Sequence, residues 1–238
     1  MNKKPANRMN KDFIMEMNTT LEKLENDGSY RGVVLTSSSP GIFSAGLDPT
    51  EMYQKSIDYT STFWRSLQDF WMRLYGTNLA TVAAINGHCP AGGCLVAMSC
   101  DYRIMSEGKF MIGLSEIRTG LITPFWLQDL MMKICGARET ELGLQLGKLY
   151  PPEEALKVGM VDEIAPMDDV ITKAREQLVK WLEIPEHARV ITKGMRRGPL
   201  IDQLRAKQEE DIAFFNDFVN KDIVKKFLGR FVESLNEK

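Results

Sequence analysis

The chain has 238 residues, 44% hydrophobic and 26% charged, with a formal net charge of −2. That is enough apolar material for a real core in one large domain, or in one domain with a small appendage. The near-neutral balance gives no basis for a nucleic-acid or anionic-membrane partner, and no apolar run reaches the roughly 18–20 residues that cross a bilayer.

Residues 10–26 (NKDFIMEMNTTLEKLEN) place Phe13, Met17, Leu21 and Leu24 at helical spacing before a DGS stop. RGVVLTS (31–37) is a short, partly β-branched apolar run and predicts a buried strand. SSPGIFSAGLDP (38–49) is rich in Gly, Pro and Ser and predicts a structured loop. Residues 57–75 predict a helix with aromatics at 63, 64, 70 and 71. LATVAAING (79–87) predicts a second buried strand. PAGGCLVAMSCD (90–101) opens as a glycine turn and continues as a short helix of small residues. YRIMSE and KFMIG predict two short strands around EGK. Residues 31–113 therefore alternate strand and helix, an α/β organisation with a largely parallel sheet.

After residue 120 the pattern turns helical. PFWLQDLMMKICG, ARETELGLQLG, PPEEALKVG, DDVITKAREQLVKWLEI, PEHARVITKGMRRG and 200–218 each read as a helix with its own stop. The basic cluster TKGMRRG (192–198) reads as a solvated helix end. The last segment puts Ile223, Val224, Phe227, Leu228, Phe231, Val232 and Leu235 on one stripe. Such a stripe is either a core face or a cover for a neighbouring surface or ligand tunnel. There is no internal repeat.

Cys89, Cys94, Cys100 and Cys135 form no Cys-x-x-Cys pair, and His88 and His187 are the two histidines, so a zinc site would need an unusual ligand set. Unpaired cysteines beside 14 methionines fit a reducing interior. The start MNKKPANRMNKDF lacks an apolar secretory core. GLSEI lacks the second glycine of a nucleophile elbow, GLQLGK is not a phosphate-binding loop, and neither Gly-x-Gly-x-x-Gly nor His-Glu-x-x-His occurs.

Two glycine turns remain, FSAGLD (43–48) and PAGGC (90–94), each after a strand. At the carboxyl ends of parallel strands they face one crevice. One backbone N–H from each, converging on a point, makes an oxyanion hole; otherwise the glycines simply turn the chain. Glu116 lies in FMIGLSEIRTGLITPFW (110–126), where Arg118 is the only other charge. It either caps a helix or pairs with Arg118, or it is a carboxyl held in a dry pocket to move protons. Phe63, Trp64, Phe125 and Trp126 are core residues or the lining of a tunnel. Asp48 reads as holding its turn, and His88 and Cys94 as structural.

GIFSAGLDPTEM, AAINGHCPAGGCLVAMSCDYRI and FMIGLSEIRTGLITPFW, in this order, resemble the crotonase superfamily, the enoyl-CoA hydratase/isomerase family. Within it they are most similar to the mitochondrial isomerase branch, and the likeness runs at least through PPEEALKVGMVDEI (151–164). The resemblance implies an α/β fold, a crotonase-type spiral of ββα units with a helical C-terminal region. Residues 1–135 would be the core carrying the active site, and 136–238 the helical region for trimerisation and active-site cover.

It also implies roles. Leu47 and Gly92 would supply the two N–H groups to a CoA thioester carbonyl, and Glu116 would be catalytic. Ala45, Gly46, Leu95, Ser115, Phe125 and Trp126 would contact substrate. Hydratases of the family carry two glutamates, at the positions of Leu95 and Glu116, so this chain departs from them at Leu95. One carboxyl suits transposition of a double bond, from 3-cis- or 3-trans-enoyl-CoA to 2-trans-enoyl-CoA. A hydratase working with one glutamate and a catalytically inactive CoA-binding subunit are the alternatives. The implied partner is acyl-CoA in a homotrimer in the mitochondrial matrix. No metal or cofactor is implied, CoA being part of the substrate. The family normally opens with one or two strands before a segment like NKKPANRMN. Those strands are expected to be missing here, which would alter one sheet edge.

Overall fold

The structure, a computed structural model, describes residues 1–39 and 41–236. The chain opens with α1 (Lys11–Asn26), capped by the Asn10 side chain, which accepts the Phe13 N–H. Then come β1 (Gly32–Leu35), β2 (Gly41–Ile42), α2 (Ile57–Gly76), β3 (Ala80–Ile85), β4 (Gly87–Pro90), α3 (Gly92–Ser99), β5 (Tyr102–Ser106) and β6 (Ile112–Gly113). The remainder is α4 (Phe125–Cys135), α5 (Ala137–Leu146), α6 (Pro152–Lys157), β7 (Glu163–Ala165), α7 (Val170–Glu183), α8 (Glu186–Val219) and α9 (Asp222–Asn236).

Three successive strand–strand–helix units each add one strand to each of two parallel sheets. The larger has the order β1-β3-β5-β7, the smaller β2-β4-β6. This is the ββα spiral that the resemblance implied. Periodicity alone missed β2, β4 and β7, which have two to four residues each and no room for an alternating pattern. Residues 38–49 are accordingly not one loop: they contain β2 and run into a single 3-10 turn at Pro49–Glu51. Pro40 lies outside the described residues.

β3 is buried along its whole length, as a central parallel strand requires. Its residues alternate between two cores: Ala83 and Ile85 join the main one, Val82 and Ala84 pack with Val170 and Ala174 of α7. β1, expected to be buried, is only half-buried because it is the edge of the larger sheet. β2 and β4 run backbone against backbone. A Cβ at Gly87 would lie 2.0 Å from the Gly41 carbonyl carbon, so only glycine lets these strands meet.

The expected pair of helices at 185–198 and 200–218 is one helix, α8, with Pro199 inside it. TKGMRRG is not a solvated end either. Arg189, Lys193 and Arg197 stand one turn apart on one face. Arg189 donates to the Asn78 carbonyl, Lys193 to Leu79, and Arg197 to Tyr75, Ser99 and Cys100. These carbonyls include the ends of α2 and α3, where the helix dipole favours a cation. Asp101, with its side chain 3% exposed, meets Lys193 at 2.8 Å and Arg197 at 2.9 Å. These anchors offset the hydrogen bond that Pro199 cannot donate. Burial lowers the Lys193 pKa to about 8, with Asp101 opposing the shift.

Asp101→Asn would leave Lys193 and Arg197 buried without a counter-charge. We expect a loss of about 3–5 kcal/mol in urea unfolding, whereas Glu176→Gln, which breaks the exposed pair with Lys173, should leave the midpoint unchanged.

Candidate active site

The turn after β2 is pinned from below. Asn7 donates to Ser37 Oγ and to the Phe43 carbonyl, and Ser44 Oγ donates to the Asn7 carbonyl. Gly46 has φ +86°, and a Cβ there would come within 2.9 Å of Ala91 Cβ and 3.1 Å of Gly92 N. The two glycine turns therefore touch. On the other side Ala91 sits at φ 50°, ψ −118°, a conformation that costs a non-glycine residue about 1–3 kcal/mol. Ala91 N–H donates to the Gly113 carbonyl at 2.8 Å and its own carbonyl accepts from Leu95 N–H at 3.0 Å, which holds the kink. The kink lets α3 begin at Gly92.

The consequence is a pair of free donors. Met9 N–H donates to the Gly46 carbonyl and Asp48 N–H to the Met9 carbonyl, so the Leu47 N–H between them points away from Met9. Gly92 is the first residue of α3 and has no intrahelical acceptor. Among the described residues neither N–H has a hydrogen-bond partner. A Cβ at Gly92 would lie 3.1 Å from Leu47 N, which measures how close the donors are. Both residues line a cavity of about 400 Å³.

Glu116 lines the same cavity, at the start of a single 3-10 turn, Glu116–Thr119. Its carboxylate accepts from Thr123 Oγ at 3.1 Å, and the Thr123 carbonyl accepts from Gln128 Nε2 at 2.7 Å. The expected alternative, a pair with Arg118, is not formed: Arg118 Nε donates to the Gly147 carbonyl at 2.6 Å. The residue as a whole is of intermediate exposure, yet its carboxyl is buried. Burial pushes its pKa up from 4.5 to about 7, against its own N–H and the Thr123 hydroxyl, which lower it. Leu95, 2% exposed, keeps the adjoining wall apolar.

The far wall is aromatic. Trp64 stacks on Phe215 of α8 at 3.8 Å between ring centroids, and Trp126 packs against Trp71 at 4.8 Å. Asp211 of α8 ties the wall together. Its Oδ2 accepts from Trp64 Nε1 and Gln68 Nε2 at 2.7 Å each and from Trp126 Nε1 at 3.4 Å. Holding it leaves Gln68 Oε1 buried with no partner, a cost of about 1–3 kcal/mol.

Of the residues expected at the site, Leu47, Leu95, Gly92, Glu116, Phe125 and Trp126 line the cavity. Ala45, Gly46 and Ser115 do not. Ala45 N–H donates to the Ala6 carbonyl, Gly46 presents its carbonyl to Met9, and the Ser115 carbonyl accepts from Arg118 N–H, so these three shape the backbone around it. Of the four aromatics left open, Trp64 also lines the cavity and Phe63 is buried in the core. Asp48 caps Thr50 N–H at 3.0 Å, holding its turn. Thr123, Leu67, Asp211 and Phe215 escaped sequence reasoning, and nothing in the sequence local to them marks a site. Among the described residues no three His, Cys, Asp or Glu side chains come together as metal ligands.

Chemically, a carbonyl oxygen seated on the two N–H groups would be stabilised as it gained negative charge. A carboxyl with a pKa near 7 can both take and return a proton at neutral pH. That pKa has a signature in stability. The folded chain keeps the Glu116 proton to about pH 7, whereas the ordinary pKa of 4.5 governs the unfolded chain. Between the two values the folded state binds more protons, so stability falls as pH rises, and above about 7 the ionised group is a net cost. Glu116→Gln should match the wild type near pH 4.5 and exceed it at pH 8.5 by about 3 kcal/mol, read by urea unfolding at both pH values.

The family model for enoyl-CoA hydratase/isomerase matches residues 1–238. The enoyl-CoA delta isomerase 1, mitochondrial, of Rattus norvegicus is 48% identical over 235 residues, covering 98% of this chain and 81% of the relative. The Homo sapiens protein of the same name is 47% identical over 234 residues, covering 98% and 78%. The crystal structure of human mitochondrial delta3-delta2-enoyl-CoA isomerase superposes with a TM-score of 0.97 at 46% identity, covering 99% of this chain and 92% of that one. The paired glycine turns, Glu116 in the same cavity and a likeness over nearly the whole of this chain lead to one conclusion: the chain belongs to the enoyl-CoA hydratase/isomerase family.

Proposed function

We propose that this chain is an enoyl-CoA isomerase that moves the double bond of 3-cis- or 3-trans-enoyl-CoA to the 2-trans position in the oxidation of unsaturated fatty acids. The observation that carries the mechanism is the position of the Glu116 carboxyl, in the same cavity as the free Leu47 and Gly92 N–H groups. Leu95 stands where a hydratase of the family would carry its other glutamate. Of the other acids that line the cavity, Glu210 is exposed and Asp211 accepts from three N–H donors.

In the proposed reaction the thioester carbonyl accepts hydrogen bonds from Leu47 and Gly92. Glu116 removes a C2 proton, and the electrons of that C–H bond pass into a dienolate whose oxygen carries the charge. The protonated Glu116 then delivers its proton to C4, leaving the double bond between C2 and C3. The dry wall at Leu95 keeps water from C3. No metal or redox group takes part, and CoA enters with the substrate. The mammalian relatives named above are mitochondrial, which supports a mitochondrial place for this chain; the matrix is the compartment we propose. We also propose a homotrimer. Its support is a set of exposed apolar residues, Val179 of α7, Ile184 between the helices, and Ile191 and Met195 of α8, between 50% and 74% exposed.

The deciding experiment is incubation with 3-cis-octenoyl-CoA, following the conjugated 2-enoyl thioester by ultraviolet absorbance and the product by mass. A product of unchanged mass is expected. A gain of one water would mean a hydratase, and binding without turnover would mean an inactive CoA-binding subunit. Glu116→Gln should lower kcat by about 10³-fold while leaving thioester affinity nearly intact. In the wild type kcat/KM should rise with pH and level off above about 7, as the base becomes ionised. Gly92→Ala would set a methyl group 3.1 Å from Leu47 N, where the carbonyl oxygen belongs. We expect about a 10²-fold loss of kcat/KM together with a lower unfolding midpoint, since the same methyl would meet Met9 Sδ at 3.1 Å and Gly46 Cα at 3.2 Å.

A further inference from the structure

The Glu116 carboxyl is held by a side chain at one point. Oε2 accepts from Thr123 Oγ at 3.1 Å. Among the described residues no other side chain donates to the carboxyl, and the Thr123 hydroxyl has no other acceptor. Thr123 is itself well fixed. It is 8% exposed, and its β-branched side chain is stiff at χ1. Its carbonyl accepts from Gln128 Nε2 at 2.7 Å, and Pro124 follows it before α4 begins. The donor is braced by α4, while the acceptor stands on the 3-10 turn Glu116–Thr119.

The charged and titratable neighbours leave this role to Thr123. Arg118, on the same turn, donates to the Gly147 carbonyl. Lys207 of α8 lies over the Phe125 ring, Asp211 is bonded to Trp64, Gln68 and Trp126, and Glu210 is exposed. Burial raises the Cys94 thiol of α3 well above its usual pKa, so it stays neutral. Among the described residues no charged group of α5 or α9, which pack against the turn, alters the proton affinity of Glu116.

A carboxyl that serves two carbons needs such a brace. C2 and C4 are separated by one carbon, and the acid must keep its place between taking a proton from the first and giving it to the second. The terminal torsion of a glutamate is broad, so an unheld carboxyl turns. A hydroxyl donor suits both halves of the cycle. It donates to the carboxylate before the transfer and to the C=O oxygen of the carboxylic acid after it.

We propose that Thr123 is a positioning residue of the reaction: its hydroxyl holds Glu116 Oε2 in both protonation states and keeps the carboxyl aligned for C2 and then for C4. The inference rests on the isomerase reading above. Thr123 acts through Glu116 alone. Its hydrogen bond favours the ionised carboxyl, so it also keeps the base available at neutral pH.

The test compares the wild type with Thr123→Val, which keeps the shape and loses the donor, and with Thr123→Ser, which keeps the donor. Turnover of 3-cis-octenoyl-CoA is measured as a function of pH. In Thr123→Val the plateau kcat should fall about tenfold with little change in KM. The midpoint of kcat/KM should rise by about one pH unit. Thr123→Ser should recover most of the kcat and return the midpoint to near 7. A Thr123→Val enzyme with the wild-type kcat and midpoint would overturn the proposal. So would losses that Thr123→Ser shares in full, which mark a packing role. Should Thr123→Val not fold, Thr123→Ala is read in its place. The Glu116 carboxyl is also titrated by 13C NMR, its signal assigned by its loss in Glu116→Gln. That reading needs no turnover. A wild type that does not isomerise would sink the isomerase reading, whereas a carboxyl midpoint unmoved in the variant would sink this inference alone.

Discussion

Two peptide N–H groups, on Leu47 and Gly92, that find no acceptor among the described residues are the constraint around which this molecule is arranged. A buried donor left unpaired costs about 1–3 kcal/mol, so a fold normally satisfies it. Here the backbone is spent on keeping both open and adjacent. The spiral puts the ends of β2 and β4 side by side, Gly87 lets those strands touch, and Gly46 lets their following turns touch. Ala91 takes up the strain that allows α3 to start at Gly92. The scaffold of Asn7, Ser37 and Ser44 then fixes the first turn against the second.

Glu116 obeys the same economy in a different currency. Among the described residues its carboxyl has one side-chain hydrogen bond and no cation, so burial decides its proton affinity. Had Arg118 turned toward it, a nearby guanidinium would have favoured the ionised form and weakened the group as a base and acid at neutral pH. Arg118 is instead committed to the Gly147 carbonyl. Leu95 contributes by absence, since an apolar side chain there holds neither charge nor water beside the carboxyl.

α8 links this site to the rest of the protein. At one stretch Arg189, Lys193 and Arg197 fasten it to the rim of the larger sheet and to Asp101. Further along, Asp211 and Phe215 close the aromatic wall of the cavity. One rigid helix therefore references the acyl side of the pocket to the strands that carry the N–H pair. This explains how a helix with Pro199 inside it stays whole: its anchors lie on both sides of the break.

Local sequence determined a good deal. The long elements α1, α2 and α7 were legible from apolar spacing and stops, because each buries one face against a core. The two glycine turns and the isolated Glu116 were visible as oddities, and the ordered motifs around them carried the family resemblance. What the sequence could not decide was everything that depends on partners far along the chain. Strands of two to four residues hold no periodicity, so β2, β4 and β7 exist only through pairing. The basic run at 192–198 looked solvated because its acid, Asp101, lies 92 residues from Lys193. The choice between an Arg118 pair and a free carboxyl was a matter of side-chain direction, which composition does not encode. Asp211 gave no local sign, since what distinguishes it is that α8 brings it to Trp64, Gln68 and Trp126, up to 147 residues away. Burial and hydrogen-bond partners are properties of the folded surface, and tertiary packing alone assigns them.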